Sequence, residues 1–253
     1  MDLTIIVLTK NNLKELKSTL KSIEINCKDI NILIVDGSKN RILDNKLFIN
    51  KFNTYIYKYE PKIKGIYPSM NYAIKLVESK YLMFLNSGDA LLKSPKRAIT
   101  RLKNSNNICS FSSAMILNKS NKKLYITPSP KIKRFSIWFF LGQLPIHQSM
   151  IISTDWSKKN LYPINCKITS DNLIKRKIIN SKKFIYNNDI LVTFSLGGLS
   201  TSLSLKTLLI YLKSNQISII RKIVLIIRYM AGNIFGYRFI ALRIKLINFI
   251  VSL

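Results

Sequence analysis

Over the first ninety residues apolar positions alternate between unbroken runs and helical stripes. Leu3 to Thr9 and Ile30 to Val35 are continuous apolar runs rich in β-branched residues, as in strands buried on both faces. Between them Leu13, Leu16, Leu20 and Ile23 form a helical stripe, with Asn11 and Asn12 placed as caps. Strand, helix and strand in this order predict a parallel pair with a right-handed crossover. A helix is expected over residues 41–52 and a third strand over 54–59. The segment GIYPSMNYAIKLVESKYLMFLNSGDALL follows, residues 65–92. Met70, Ile74 and Val77 predict a helix from about Pro68 to Ser79, and Tyr81 to Leu85 a buried strand. That strand runs into Asn86, Ser87 and Gly88 and then a lone carboxylate, Asp89. In open α/β sheets ligands bind at the carboxyl edge of the strands. An acid there is placed to meet a metal or a phosphate-bearing ligand, although the same four residues also make an ordinary turn.

Beyond Ser94 the pattern predicts a helix, strand-like runs over 107–117 and 123–127, a helix over 170–180, and a strand over 184–194 with a turn at Asn187 and Asn188. The apolar stretch FSIWFFLGQLPI, residues 135–146, reads as a core helix under the sheet, with a lipid- or acceptor-facing loop as the alternative. At about residue 202 the organisation changes. Residues 204–253 contain no acid, and Arg221, Lys222, Arg228, Arg238 and Lys245 recur at helical spacing among Ile, Leu, Val, Phe and Tyr. These are basic amphipathic helices, broken near Gly232 and Gly236, of the type that lies in an anionic membrane interface. The alternative is packing onto the preceding domain with a solvated basic stripe. The chain thus divides into an α/β domain over 1–201 and a helical tail over 202–253.

At 253 residues the chain is long enough for one large α/β domain and short for two. Forty-one Lys and Arg against twelve Asp and Glu give a formal charge of +29. Such an excess favours an anionic partner: nucleic acid, an acidic membrane face or phosphorylated substrates. The basic residues are spread along the whole chain without an RNA-binding signature, which argues against nucleic acid. Cys27, Cys109 and Cys166 are scattered, with no CxxC or Cys/His cluster, so neither a disulfide framework nor a zinc site is expected. The start MDLTIIVLTK lacks the basic opening of a signal peptide, and no apolar run reaches the length of a membrane span. The expectation is a cytoplasmic protein, peripheral on the inner face of the cell membrane.

The motifs GIY, MN and LNSGD within residues 65–89 resemble the GIYDAMNKGI…FLNSGD pattern of family-two glycosyltransferases of the GT-A type, those of bacterial surface polysaccharides in particular. IIVLTKNN at 5–12, VDGS at 35–38, HQ at 147–148, SD at 170–171 and LGGLST at 196–201 follow in the family's order. The resemblance implies a GT-A-like α/β domain with a Rossmann-like nucleotide-binding half and a mostly parallel mixed sheet. It also implies inverting transfer of a hexosyl or N-acetylhexosaminyl group from a nucleoside diphosphate, UDP for preference, to a lipid-linked saccharide of O-antigen or capsule type.

The same resemblance assigns roles to residues. Asp89 would bind Mn²⁺ or Mg²⁺, and Asp171 would be the general base. Thr9, Asn11, Asp36, Gly65, Asn71, Asp89 and His147 would surround the donor, with Asp36 receiving the uracil N–H and Gly197–Gly198 closing over it. Three positions depart from the pattern. Lys10 replaces the central aromatic of the first corner, Pro68 replaces Asp, and Leu173 stands where a second acid is usual. These departures leave open a membrane-attached pseudoenzyme of the same fold, and the charge leaves open a nucleic-acid-binding protein. Lys175, Arg176 and Lys177 read as a charge run that either touches phosphate or is solvated.

Overall fold

The structure, a computed structural model, describes residues 2–42, 52, 54–118, 120–165, 170–196, 205–213, 219–235 and 237–252. The chain opens with β1 (Leu3–Thr9), α1 (Leu13–Asn26), β2 (Asn31–Asp36), β3 (Thr54–Tyr59), α2 (Ile66–Leu76) and β4 (Tyr81–Phe84). β5 (Ala90–Leu91), α3 (Lys96–Lys103), β6 (Cys109–Leu117), β7 (Lys123–Thr127) and α4 (Phe135–Phe140) follow. Then come a 3₁₀ turn at His147–Ser149, β8 (Met150–Ser153), α5 (Thr154–Lys159), α6 (Ser170–Asn180) and β9 (Phe184–Ser195). The tail forms α7 (Leu205–Leu212), α8 (Ile219–Phe235) and α9 (Tyr237–Ser252). The helix expected over 41–52 and the LGGLST segment after Leu196 lie almost wholly outside the described residues, as does Cys166.

The strands join one sheet in the order β3-β2-β1-β4-β8-β6-β9-β5, with β7 added on β6. β3, β2, β1 and β4 are mutually parallel, whereas β8 runs antiparallel to both β4 and β6. Period-two alternation divides the core between the two faces. Ile5, Val7, Ile32 and Ile34 pack on one side with Leu16, Leu20 and Ile23 of α1. Ile6, Leu33, Leu82 and Phe84 pack on the other with Met70 and Ile74 of α2 and Ile174 and Ile178 of α6. Each central strand is therefore apolar at every position because helices cover both faces.

Three expectations differ. Helix α8 runs unbroken through Gly232 to Phe235, where a break was expected. The turn at Asn187 and Asn188 is instead a bulge: Ser112 pairs with Asn187 and Ser113 with Ile190, so β9 continues through it. The apolar stretch 135–146 is helical only to Phe140, and Gly142 follows at φ 75°. Within it Trp138 is fully buried and packs against Ile247 and Val251 of α9, so part of the tail is built onto the domain. Asn248 fastens it, donating from Nδ2 to the Ile126 carbonyl at 2.7 Å and accepting from the Ser129 N–H at 3.2 Å. Cys27 and Cys109 are buried free thiols.

Candidate active site

The carboxyl ends of β1, β2 and β4 form one rim, and the site is assembled there. Thr9 and Asp36 close β1 and β2 in register, and the Gly37 N–H donates to the Thr9 carbonyl at 3.1 Å. Asn11 adopts φ 54°, a left-handed conformation that Asn tolerates. From there it ties the two corners: its N–H donates to Ser38 Oγ at 2.6 Å and its Oδ1 accepts from the Lys39 N–H at 3.1 Å. Asp36 is fully buried. Its Oδ1 accepts from the Ser38 N–H at 2.9 Å, and its Oδ2 accepts from the Ile42 N–H at 3.3 Å and from the Tyr57 hydroxyl. The acid thus organises the corner.

Asp89 lies beyond β4, where the chain runs on beside β1: the Leu85 N–H donates to the Ile6 carbonyl and the Ser87 N–H to Leu8. Gly88 at φ 95° makes the turn, a conformation that disfavours any side chain. Thr19 of α1 clamps it, accepting from the Gly88 N–H at 3.0 Å and donating to the Asp89 carbonyl at 2.7 Å. Asp89 is 6 % exposed. Burial pushes it up to about 8 against the lowering effect of the Ser195 N–H and the Gln148 side chain, and Glu15 adds a like charge.

His147 and Gln148 reach the rim because β8 is antiparallel to β4, so the start of β8 lies at the end of β4. The Gln148 side chain lies close enough to Asp89 to lower its carboxyl. Its neighbour His147 faces the other acid: its Nε2 is 2.5 Å from the Tyr162 hydroxyl, and its ring lies in the field of Asp171 and Lys175. Asp171, in the first turn of α6, accepts from Lys175 Nζ at 2.8 Å and from the Tyr67 hydroxyl at 3.1 Å. Its side chain is 23 % exposed while that of Lys175 is 7 %, so the acid faces outward over a buried cation. Burial pulls the Asp171 carboxyl up, but Lys175, His147 and Tyr67 together outweigh it and hold it below the usual carboxylate value. With His147 neutral near pH 7, Lys175 is the charge that acts there.

Burial pushes His147 down to about 4, with Asp171 opposing and Lys175 assisting. Because the folded value lies below the unfolded one, this residue's contribution to stability is lost as pH falls from about 6.5 to 4. The loss amounts to about 3 kcal/mol. His147→Gln, which keeps a partner for Tyr162, is expected to flatten this part of the stability profile, as read from urea midpoints across that pH range.

Tyr67 stacks on Tyr162 at 5.8 Å, and Tyr162 is gripped from behind by Asn71. Asn71 Nδ2 donates to the Tyr162 carbonyl and Oδ1 accepts from the Tyr162 N–H, both at 2.8 Å. Expected beside the donor, Asn71 has its amide occupied by this backbone and shapes the site through the tyrosine. Gly65, at φ 109°, precedes α2 and accepts from the Ser69 N–H at its carbonyl. Pro68 falls in the first turn of α2, where its missing N–H breaks no helical bond. Lys10 is exposed between Thr9 and Asn11 on the rim, and Leu173 is half-buried on α6.

Four buried polar atoms on this rim have no hydrogen-bond partner among the described residues: Thr9 Oγ1, Asn86 Oδ1, Ser87 Oγ and His147 Nδ1. Each such atom costs about 1–3 kcal/mol until something satisfies it. Trp138 Nε1 and Thr154 Oγ1 are also without a partner among the described residues, and a polar ligand on the rim would satisfy the four atoms here. A cavity of about 420 Å³ lies elsewhere, between β7 and α9, lined by Lys123, Tyr125, Ser129, Lys245 and Asn248, and holds none of these groups. Among the described residues no three His, Cys, Asp or Glu side chains converge as a complete metal site. Asp89 with the Asn86 and Ser87 oxygens nevertheless suits a hard divalent cation, which takes one or two carboxylates and completes its shell from phosphate oxygens and water. A cation also offsets the burial that raises Asp89.

No family model matches the sequence, and no curated protein matches it. Solved structures do. S. aureus TarS superposes with a TM-score of 0.60 at 16 % identity over 94 % of this chain and 43 % of that one. TarS 1–349 in complex with UDP gives 0.58 at 16 % identity over 92 % and 71 %. TarS 1–349 in complex with UDP-GlcNAc gives 0.62 at 16 % identity over 94 % and 74 %. The chain has a glycosyltransferase fold. It spans less than half the length of full TarS.

Proposed function

We propose that this chain is an inverting glycosyltransferase that moves a sugar from a nucleoside diphosphate to a hydroxyl of a lipid-linked saccharide in surface polysaccharide synthesis. One observation carries the reading. The turn His147–Gln148 joins two unlike acids, Asp89, raised by burial, and Asp171, held ionised by Lys175. Two carboxyls driven apart in this way divide the work of a group transfer. UDP is the donor nucleotide favoured here, because TarS was crystallised with UDP and with UDP-GlcNAc on the same fold. The sugar is of the hexosyl or N-acetylhexosaminyl class.

Asp171 accepts the proton of the acceptor hydroxyl as that oxygen attacks the anomeric carbon. The new C–O bond forms while the bond from the anomeric carbon to the diphosphate oxygen breaks on the opposite face. The electron pair leaves with the nucleoside diphosphate, and one such displacement inverts the configuration. Lys175 keeps Asp171 deprotonated before the step, and Tyr67 orients it. Thr9, Asn11 and the Asp36 corner border the nucleotide, while Asn86, Ser87 and Gln148 line the approach to Asp89. Mn²⁺ or Mg²⁺ held by Asp89 would supply positive charge to the leaving diphosphate.

The purified chain with Mn²⁺ is expected to bind UDP in calorimetry and to hydrolyse at least one of a panel of UDP-sugars slowly in the absence of acceptor. A chain that binds no nucleoside diphosphate, with or without divalent ion, would overturn the proposal. Binding without hydrolysis or transfer of any nucleotide-sugar would instead identify a pseudoenzyme.

A further inference from the structure

Helix α9 is apolar on two opposite faces. Ile240, Ile244, Ile247 and Val251 are buried, and Ile247 and Val251 pack against Trp138. Leu242 lies two residues on from Ile240, about 200° around the helix, and with Leu246 and Phe249 it is exposed at 59–68 %. Helix α8 packs beside α9 and adds a second exposed stripe, in which Ile219, Ile223, Ile227, Met230 and Ile234 recur at intervals of three or four. A soluble surface seldom leaves so many large side chains exposed on two packed helices without a partner.

Charge identifies the partner. Residues 204–253 hold eight Lys and Arg and no Asp or Glu. On α9, Arg238 and Lys245 are exposed and fall at i and i+7 among Leu242 and Phe249 at i+4 and i+11, so cations and apolar groups share one face. A second copy of this chain would bring like charge against like charge. Anionic lipid headgroups neutralise it, and acyl chains accept the apolar side chains. Helices of 17 and 16 residues are shorter than a bilayer span, and among the described residues none is long and apolar enough to cross.

We propose that the exposed face of α8 and α9 lies in the interface of an anionic bilayer, parallel to its plane. Trp138 and Asn248 then couple this face to the α/β domain. Docking of this kind stands independently of the transfer reaction, since vesicle binding needs no donor or acceptor.

The experiment is flotation of the full chain with vesicles of phosphatidylcholine alone or mixed with phosphatidylglycerol. Two triple variants are compared, Ile223→Ser/Ile227→Ser/Ile234→Ser and Leu242→Ser/Leu246→Ser/Phe249→Ser, each checked for folding by circular dichroism. The wild-type chain should float with the mixed vesicles, weaken as salt rises, and lose at least about tenfold in partitioning in each variant. If one variant fails to fold, the other decides. Undiminished partitioning in a folded variant would overturn the proposal. So would absence of flotation together with a dimer, seen by sedimentation, that the same substitutions dissociate; that result makes the face a homodimer surface.

Discussion

Asp171→Asn is expected to lower turnover about 10²–10⁴-fold with little change in the KM for donor, because it removes the proton acceptor and no donor contact. It should also destabilise the chain. Lys175 Nζ is buried on the Asp171 carboxylate, with Asn172 Oδ1 as a second acceptor at 3.3 Å. Neutralising the acid leaves a buried ammonium without its counter-charge, a loss of about 2–3 kcal/mol once the partial exposure of Asp171 is discounted. Two effects are therefore mixed in the single variant, and Lys175→Met separates them. In the Asp171→Asn background it removes the stranded cation and should restore the urea midpoint without restoring transfer. Alone, it removes the strongest influence lowering Asp171, so the acid limb of the kcat profile should move to higher pH. Recovery of transfer in the double variant, or wild-type turnover in Asp171→Asn, would dismiss Asp171 as the base.

Much of the frame was legible because local pattern and tertiary environment agree there. β1, β2 and β4 are covered on both sides and hence continuous in apolar residues, and the stripes of α1 and α2 face the layers they bury. β8 escaped notice. Its four residues, Met150–Ser153, carry too little pattern, although they decide the site by carrying His147 and Gln148 to the rim. Asn187 and Asn188 look like a turn, yet β6 holds the flanking residues in pairing and turns the excess into a bulge.

Site chemistry divided in the same way. Turn acids at strand ends are visible in sequence, since their positions follow from the elements. What surrounds them is not. Lys175 sits in a Lys-Arg-Lys run that reads either as touching phosphate or as solvated, but the stripe Ser170, Ile174, Lys175, Ile178 turns it inward while Arg176 and Lys177 stay exposed. The i, i+4 spacing from Asp171 was the available signal. Tyr67, Tyr162 and the grip of Asn71 on Tyr162 depend on a contact across 91 positions, which no local pattern contains.

Asp89→Asn is expected to make the ligand-free chain more stable and nearly inactive. Burial raises this carboxyl to about 8, above its unfolded value, so it supports folding fully only below about pH 4 and loses that support as pH rises through 8. At pH 7 the native state must hold a proton that the unfolded chain releases, a cost of up to about 4 kcal/mol. Asparagine is neutral in both states and still accepts from the Ser195 N–H, so in EDTA at pH 7 its urea midpoint should exceed that of the wild type. Saturating UDP with Mn²⁺ should reverse the order, because only the wild-type acid gains from added positive charge. Transfer should fall about 10²–10³-fold through loss of charge stabilisation at the leaving group. Retained transfer with an unchanged midpoint would reduce Asp89 to a turn residue. A stabilised but active variant would place the donor diphosphate elsewhere on the rim. Stability given up at a buried acid and recovered on ligation distinguishes a binding site from a turn.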